Sequence, residues 1–157
     1  MFFLKKPKNF YPEIDVVICH FFYEDEILLL KIKNGKYNEL LWTAPGGKKN
    51  KNESIVDGTL RELFEETSIV LKKEDLNYVG KYFIKYPTFD FNIDIFYHQA
   101  LFKPTIKLSQ TEHVDYKFIK IGELLVIKMT SILLLLMITR RPENIFLFRC
   151  HSIIHRR

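Results

Sequence analysis

Apolar, β-branched and aromatic residues run from Ile14 to Phe22 without a breaker, and a Leu/Ile-rich run follows from Glu26 to Lys33. Tyr23-Glu24-Asp25 separates them, and Asn34-Gly35, a turn dipeptide, comes after. This pattern predicts two neighbouring strands joined as a hairpin. Leu40 to Ala44 predicts a short strand entering a Pro45-Gly46-Gly47 turn. Leu76 to Tyr86 and Phe91 to Phe102 predict two aromatic-rich strands parted by Pro87 to Asp90, and Val114 to Lys120 predicts one more.

Residues 53–68 carry the apolar period of a helix. Ser54 followed by Asp57 supplies the capping box that starts it. At about 100° per residue, Val56, Leu60, Leu63, Phe64 and Thr67 fall on one side and Glu62, Glu65 and Glu66 on the other. Gly58 costs the helix about 1 kcal/mol against alanine, so close packing against a neighbouring backbone is expected there. Strands, one helix, then strands predict an α/β fold with a mixed sheet covered by helices. A further helix is expected from about Gly122, begun by Glu123 to Met129. The apolar run Ile132 to Ile138, bracketed by Lys128 and Arg140, is much shorter than the ~20 residues that span a bilayer. It is expected to lie buried over the sheet.

The chain has 157 residues, 47% of them hydrophobic, which predicts one domain with a sizeable core. That domain is expected over 1–139, with 140–157 an atypical basic tail marked by Arg140-Arg141 and Arg156-Arg157. Net charge is +5, which favours anionic ligands such as nucleotides. Cys19 and Cys150 lie far apart, with no disulfide framework and no CxxC pair, as in a reducing, cytoplasmic setting. The first residues, Met1-Phe2-Phe3-Leu4-Lys5-Lys6, lack the apolar core of a signal peptide. No membrane partner is expected.

Chemistry concentrates in one segment. Gly47 is followed by Glu53, then by Arg61-Glu62-Leu63-Phe64-Glu65-Glu66-Thr67-Ser68-Ile69. Glu62, Glu65 and Glu66 stand at i, i+3 and i+4, so their carboxylates share a helix face. Three carboxylates that close raise one another's pKa unless a cation stands among them. The segment resembles the Nudix box, G-x5-E-x7-R-E-U-x-E-E-x-G-U with U a large aliphatic residue, and departs from it only where Ser68 replaces the last glycine. Six fixed residues at roughly 5% each give a chance match on the order of 10⁻⁸ per start position.

The resemblance implies an α/β/α sandwich and a Mg²⁺-dependent hydrolase, with Mn²⁺ as a possible substitute, that cuts a phosphoanhydride in a nucleoside diphosphate linked to another group. It assigns Glu62 as metal ligand or general base, Glu65 and Glu66 as metal ligands, and the Gly47 carbonyl as a further ligand. Arg61 would orient the acidic cluster and Glu53 would complete that network. Glu112, in Glu112-His113-Val114-Asp115, resembles the extra carboxylate that such enzymes recruit from a late loop, with Asp115 a weaker candidate. His20, His98 and His113 read as structural or surface residues.

Lys48, with Lys49 and Lys51, follows the glycine turn and suits phosphate charge. Tyr86 is the substrate-binding candidate, among Tyr78, Tyr82, Phe83, Phe89, Phe91 and Phe96 as stacking partners. Tyr86 also matches a tyrosine associated with dinucleoside polyphosphate hydrolases of the family. A nucleoside triphosphate pyrophosphohydrolase of MutT type is the leading reading. A dinucleoside polyphosphate or nucleotide-sugar hydrolase is the second. A non-catalytic module binding RNA or a nucleotide is the third; it fits the basic charge but gains nothing from three bare carboxylates. No nucleic-acid partner is firmly implied, and the chain is expected to be a monomer or a homodimer.

Overall fold

A single mixed sheet organises the chain. In the computed structural model, which describes residues 1–36, 38–85 and 88–126, the elements are β1 (Phe2–Phe3), β2 (Pro12–Tyr23), β3 (Glu26–Ile32), β4 (Trp42–Thr43), β5 (Gly46–Lys48), α1 (Ile55–Thr67), β6 (Asn77–Lys85), β7 (Asp90–Ala100) and β8 (His113–Lys120). Short 3₁₀ turns cover Lys73–Asp75 and Ile121–Val126. The strands lie in the order β1-β6-β7-β2-β3-β4, with β5 paired to β2 and β8 to β3. β2 and β7 run parallel from Pro12↔Asp90 to Tyr23↔Ala100, and the other pairs are antiparallel.

The β2–β3 hairpin pairs only beside its turn, at Phe22↔Ile27 and Tyr23↔Glu26. Beyond that β5 takes the edge of β2, pairing Val16↔Lys48, Val17↔Gly47 and Ile18↔Gly46. This inserted strand brings the start of the box against the sheet. Gly46 adopts φ +152, and a β-carbon there would lie 2.2 Å from the Val17 carbonyl oxygen, so only glycine fits.

Alternation along β2 splits the core in two, as expected of strands covered on both faces. Ile18 joins Ile27, Leu29, Tyr82, Ile84, Ile93 and Ile95 on one face, with Ile14 and Val16 at its margin. Cys19 and Phe21 join Leu28, Leu30, Leu63, Ile69 and Ile106 on the other. Leu63, 1% exposed, is the side chain that seats α1 in that second cluster.

The helix is rolled relative to its predicted orientation. Its buried residues are Gly58, Thr59, Leu63, Glu66 and Thr67, while Phe64 is 54% exposed. Glu66 therefore belongs to the buried side and Phe64 to the outer one, the reverse of the sequence expectation. The cause is local: the Gly46 N–H donates to Glu66 Oε2 at 2.8 Å, which draws Glu66 under the β4–β5 turn. Phe64 follows Leu63 by about 100° of helix rotation and is carried outward. The expected neighbour of Gly58 is also corrected. A β-carbon there would meet the Glu53 and Lys49 side chains at 3.1 and 3.3 Å, not a backbone.

Capping follows the sequence. Ser54 accepts from the Asp57 N–H at 3.0 Å, and Ser68 ends the helix in the left-handed region with φ 59 and ψ 18. Leu101 and Phe102 fall past the end of β7 and are exposed. Where a further helix is expected from about Gly122, the described residues hold a 3₁₀ turn, Ile121–Val126, and the rest of that segment lies outside them. Tyr86, the run Ile132 to Ile138 and the tail 140–157 lie outside the described residues. Among the described residues no helix is long and apolar enough to cross a membrane.

Candidate active site

Arg61 is the hub of the acidic face. Its Nε and Nη2 donate to the two oxygens of Glu53 at 2.8 and 2.9 Å, a bidentate pair. Its Nη1 donates to Glu62 Oε1 at 2.8 Å and Glu65 Oε2 at 3.0 Å, and Nη2 also reaches the Lys48 carbonyl at 3.2 Å. Glu53 is itself held by the Asn50 N–H at 3.0 Å. One guanidinium thus ties together the strand at Lys48, the loop at Glu53 and the helix at Glu62 and Glu65. The hydrogen bond from Arg61 holds Glu53 below the usual carboxylate range. The same bonds push Arg61 above its own.

Glu62 and Glu66 show the opposite shift. Burial raises the Glu62 pKa, Arg61 pulls it back, and Glu65 and Glu112 push it up again. Glu66, 5% exposed, is raised well above the usual value, chiefly by burial. The Gly46 N–H counters this, and Glu62, Glu112 and Glu65 add to it. Glu65 is the outer member of the trio, its side chain 55% exposed. The glutamates therefore form one electrostatic group short of positive charge on its buried side.

Gly47 sits against this group. A β-carbon on it would meet Glu62 Oε2 at 2.6 Å, so the backbone lies directly against that carboxylate. A cavity of about 430 Å³ opens here, its lining including Gly46, Gly47, Lys48, Glu66, Glu112 and His113. Its apolar wall includes Ile14, Val16, Ile93, Phe89 and Phe91, the last two rings stacked 5.6 Å apart. This size and mixture suit a nucleotide-sized ligand. Lys36 also lines it and pairs with Glu112 at 3.8 Å.

The residues present fit a hard divalent cation. Their donors are carboxylate and carbonyl oxygens, the ligands that Mg²⁺ prefers. A positive charge already stands in for part of one, since Arg61 Nη1 bridges Glu62 and Glu65. Among the described residues no three His, Cys, Asp or Glu side chains yet surround one point as a finished chelate.

The structure thus brings together Gly47, Lys48, Glu53, Arg61, Glu62, Glu65, Glu66 and Glu112. Asp115, exposed opposite Lys31 on the β3–β8 ladder, does not line the cavity. His98 Nδ1–H donates to the Asp75 carbonyl at 2.9 Å, and His20 is buried with its pKa pushed down to about 4. The sequence reading missed two neighbours of the acidic group. Lys36 arrives on the loop after Asn34-Gly35, with no pattern to mark it. His113 lies 3% exposed, its Nε2 3.6 Å from Glu66 Oε1; its place beside Glu112 was the available signal.

Known proteins resemble this chain in fold and in sequence. The MutT protein of Methanosarcina mazei Go1 superposes with a TM-score of 0.67 at 26% identity, covering 80% of this chain and 90% of that one. An 8-oxo-dGTP diphosphatase of Buchnera aphidicola is 48% identical over 42 residues, 27% of this chain and 34% of that protein. An RNA pyrophosphohydrolase of Histophilus somni is 32% identical over 75 residues, 48% of this chain and 36% of that protein. The chain thus spans about a third of the length of the curated relatives it matches. The family model of the NUDIX domain matches residues 12–135, which takes in β2 to β8 and the whole box, and the chain belongs to that family.

Proposed function

We propose that this chain is a divalent-cation-dependent hydrolase that cleaves a phosphoanhydride in a nucleotide, with a nucleoside triphosphate as its substrate class. One observation carries the reading: Arg61 locks Glu53, Glu62 and Glu65 into a single network, with Glu66 buried beside them in the lining of a nucleotide-sized cavity. Glu65, Glu66, Glu112 and the Gly47 carbonyl would hold Mg²⁺ or Mn²⁺, leaving Glu62 beside them as the base. When bound, the cation offsets charge on the phosphate oxygens and lowers the pKa of a bound water.

The chain's own residues do the rest. Glu62 Oε1 is engaged by Arg61, which leaves Oε2 as the atom that takes a proton from the attacking water. Burial raises the Glu62 pKa toward working pH, which makes it a better base. The water oxygen bonds to phosphorus, the bridging P–O bond breaks, and the leaving phosphate carries away its electron pair. Lys36 and Lys48 meet phosphate charge, while Phe89, Phe91, Ile14 and Val16 exclude water and wall the base. The reading places catalysis within residues 1–139, in a reducing, cytoplasmic setting.

The test is a panel of nucleoside triphosphates, dinucleoside polyphosphates, nucleotide sugars and 5′-triphosphorylated RNA, with and without Mg²⁺, scored by phosphate or pyrophosphate release. Mg²⁺-dependent release, greatest with a nucleoside triphosphate, is expected. Tight binding of these ligands with no release from any would make the chain a binding module instead.

A further inference from the structure

We propose that His113 is a positioning residue for Glu66: its Nε2–H steadies Glu66 Oε1, so that the carboxylate keeps its remaining lone pairs aimed at the cation. The inference rests on the metal-dependent reading above and concerns a residue that the box does not contain. Both partners are deeply buried, at 3% and 5% exposure. A buried carboxylate needs its oxygens met. The Gly46 N–H meets Oε2 at 2.8 Å, and His113 Nε2 faces Oε1 at 3.6 Å. That spacing is longer than a hydrogen bond, as is common before ligands draw such groups together.

The approach is built by the backbone. Lys107 N–H donates to the Thr67 carbonyl at 3.0 Å and Ser109 N–H to the Glu66 carbonyl at 2.9 Å, so the segment before β8 caps the open end of α1. His113 N–H then donates to the Ser109 carbonyl at 3.3 Å. The chain is therefore anchored at Glu66 itself and returns, through one short loop, to set an imidazole beside that residue's side chain. His113 Nδ1 is buried without a hydrogen-bond partner among the described residues. A histidine kept only to fill the core would be replaceable by an apolar residue, with one unmet polar atom fewer. Its polarity has one direction of use here, toward Glu66. Groups that orient a ligating side chain typically contribute about 10–100-fold to metal affinity.

Three variants separate positioning from packing. His113→Gln places an amide N–H near the position of Nε2, His113→Asn places one near Nδ1, and His113→Leu keeps bulk alone. Mn²⁺ affinity is measured by calorimetry on the full chain, with kcat and KM alongside and circular dichroism to confirm folding. His113→Asn and His113→Leu should weaken Mn²⁺ binding by about 10-fold or more and lower kcat with little change in KM, whereas His113→Gln should stay within about 3-fold of wild type. If His113→Leu does not fold, the Asn and Gln pair still decides. Wild-type Mn²⁺ affinity in all the variants overturns the proposal, as does an equal loss in Asn and Gln, which marks packing. A wild-type chain that neither binds Mn²⁺ nor hydrolyses any nucleotide overturns the parent reading, and this inference with it.

Discussion

Gly47 and Glu62 stand so close that a β-carbon on the glycine would lie 2.6 Å from Oε2 of the glutamate. The contact joins the first residue of the box to the one read as its base. It gives the glycine a reason that needs no unusual backbone angle: the carboxylate occupies the space. Gly47→Ala should therefore turn Glu62 away from Arg61 Nη1 without breaking the sheet. We expect turnover to fall about 10²-fold, the scale of a misplaced catalytic group, with the fold retained by circular dichroism. Near wild-type kcat in Gly47→Ala would mean that Glu62 has another productive position.

Glu65→Gln and Glu66→Gln should each lower Mg²⁺-dependent hydrolysis by about 10²-fold or more, because each removes a negative oxygen from the group that holds the cation. The two should differ in Mg²⁺ dependence. Glu65 is half exposed and shares Arg61 with Glu62, so water and excess cation can partly replace it. Glu66 is buried and has no such substitute. Titration of activity against Mg²⁺ checks this: recovery of Glu66→Gln at high Mg²⁺, equal to that of Glu65→Gln, would contradict the assignment.

Much of this was legible in the chain. Strand positions followed from unbroken β-branched, aromatic and Leu/Ile-rich runs bounded by turn residues, and the helix with both caps followed from Ser54, Asp57 and the box spacing. The register of α1 did not follow, because a hydrophobicity wheel weighs Phe64 above Glu66 and knows nothing of the Gly46 N–H waiting beneath. The same limit hid Lys36 and His113. Both reach the site through long-range pairing, Ile32↔His113 on the β3–β8 ladder and the loop that leaves β3. Spacing along a sequence reports neighbours within one element, and these residues become neighbours only when strands pair.

Without metal, the pH dependence of stability carries the signature of Glu66. A carboxyl group whose pKa is higher in the folded chain than in the unfolded one binds protons more tightly when folded. Its contribution is complete below the ordinary carboxyl value and is lost as pH rises through the raised one. Glu62 shifts in the same direction, while Glu53, lowered by Arg61, contributes stability that is lost as pH falls. Glu66→Gln isolates the first effect, since glutamine resembles the protonated acid and still accepts from Gly46. From about pH 4 to about pH 8 the melting temperature of this variant should rise relative to wild type. Mn²⁺ should narrow the gap. A gap that stays constant with pH would show that Glu66 ionises freely.

Arg61→Lys should behave as a severe change despite keeping the charge. Lysine has no planar fork, so the bidentate pair to Glu53 and the simultaneous bonds to Glu62 and Glu65 cannot all be made. Turnover should drop about 10–10²-fold, with KM for the nucleotide changed less, because the lost element is orientation of the carboxylates and not contact with substrate. A variant that raises KM alone would place Arg61 on the substrate.

Ser68 is the one position at which the box departs from its pattern, and its conformation tests whether the departure matters. It closes α1 with φ 59 and ψ 18, its N–H bonded to the Phe64 carbonyl at 2.8 Å. The left-handed region costs a non-glycine residue about 1–2 kcal/mol, and glycine would relieve that while giving back part of it as extra freedom in the unfolded chain. The serine hydroxyl contributes little in return, since its contact with the Lys107 carbonyl is 3.5 Å long. Ser68→Gly should therefore leave stability unchanged or raise it by up to about 1 kcal/mol. Its Mg²⁺-dependent activity should match wild type, because no carboxylate depends on the hydroxyl. Thermal unfolding of the two proteins side by side decides it. A clear loss of melting temperature in Ser68→Gly would mean that the serine contacts outweigh the backbone strain, and that this helix end has acquired its own way of closing.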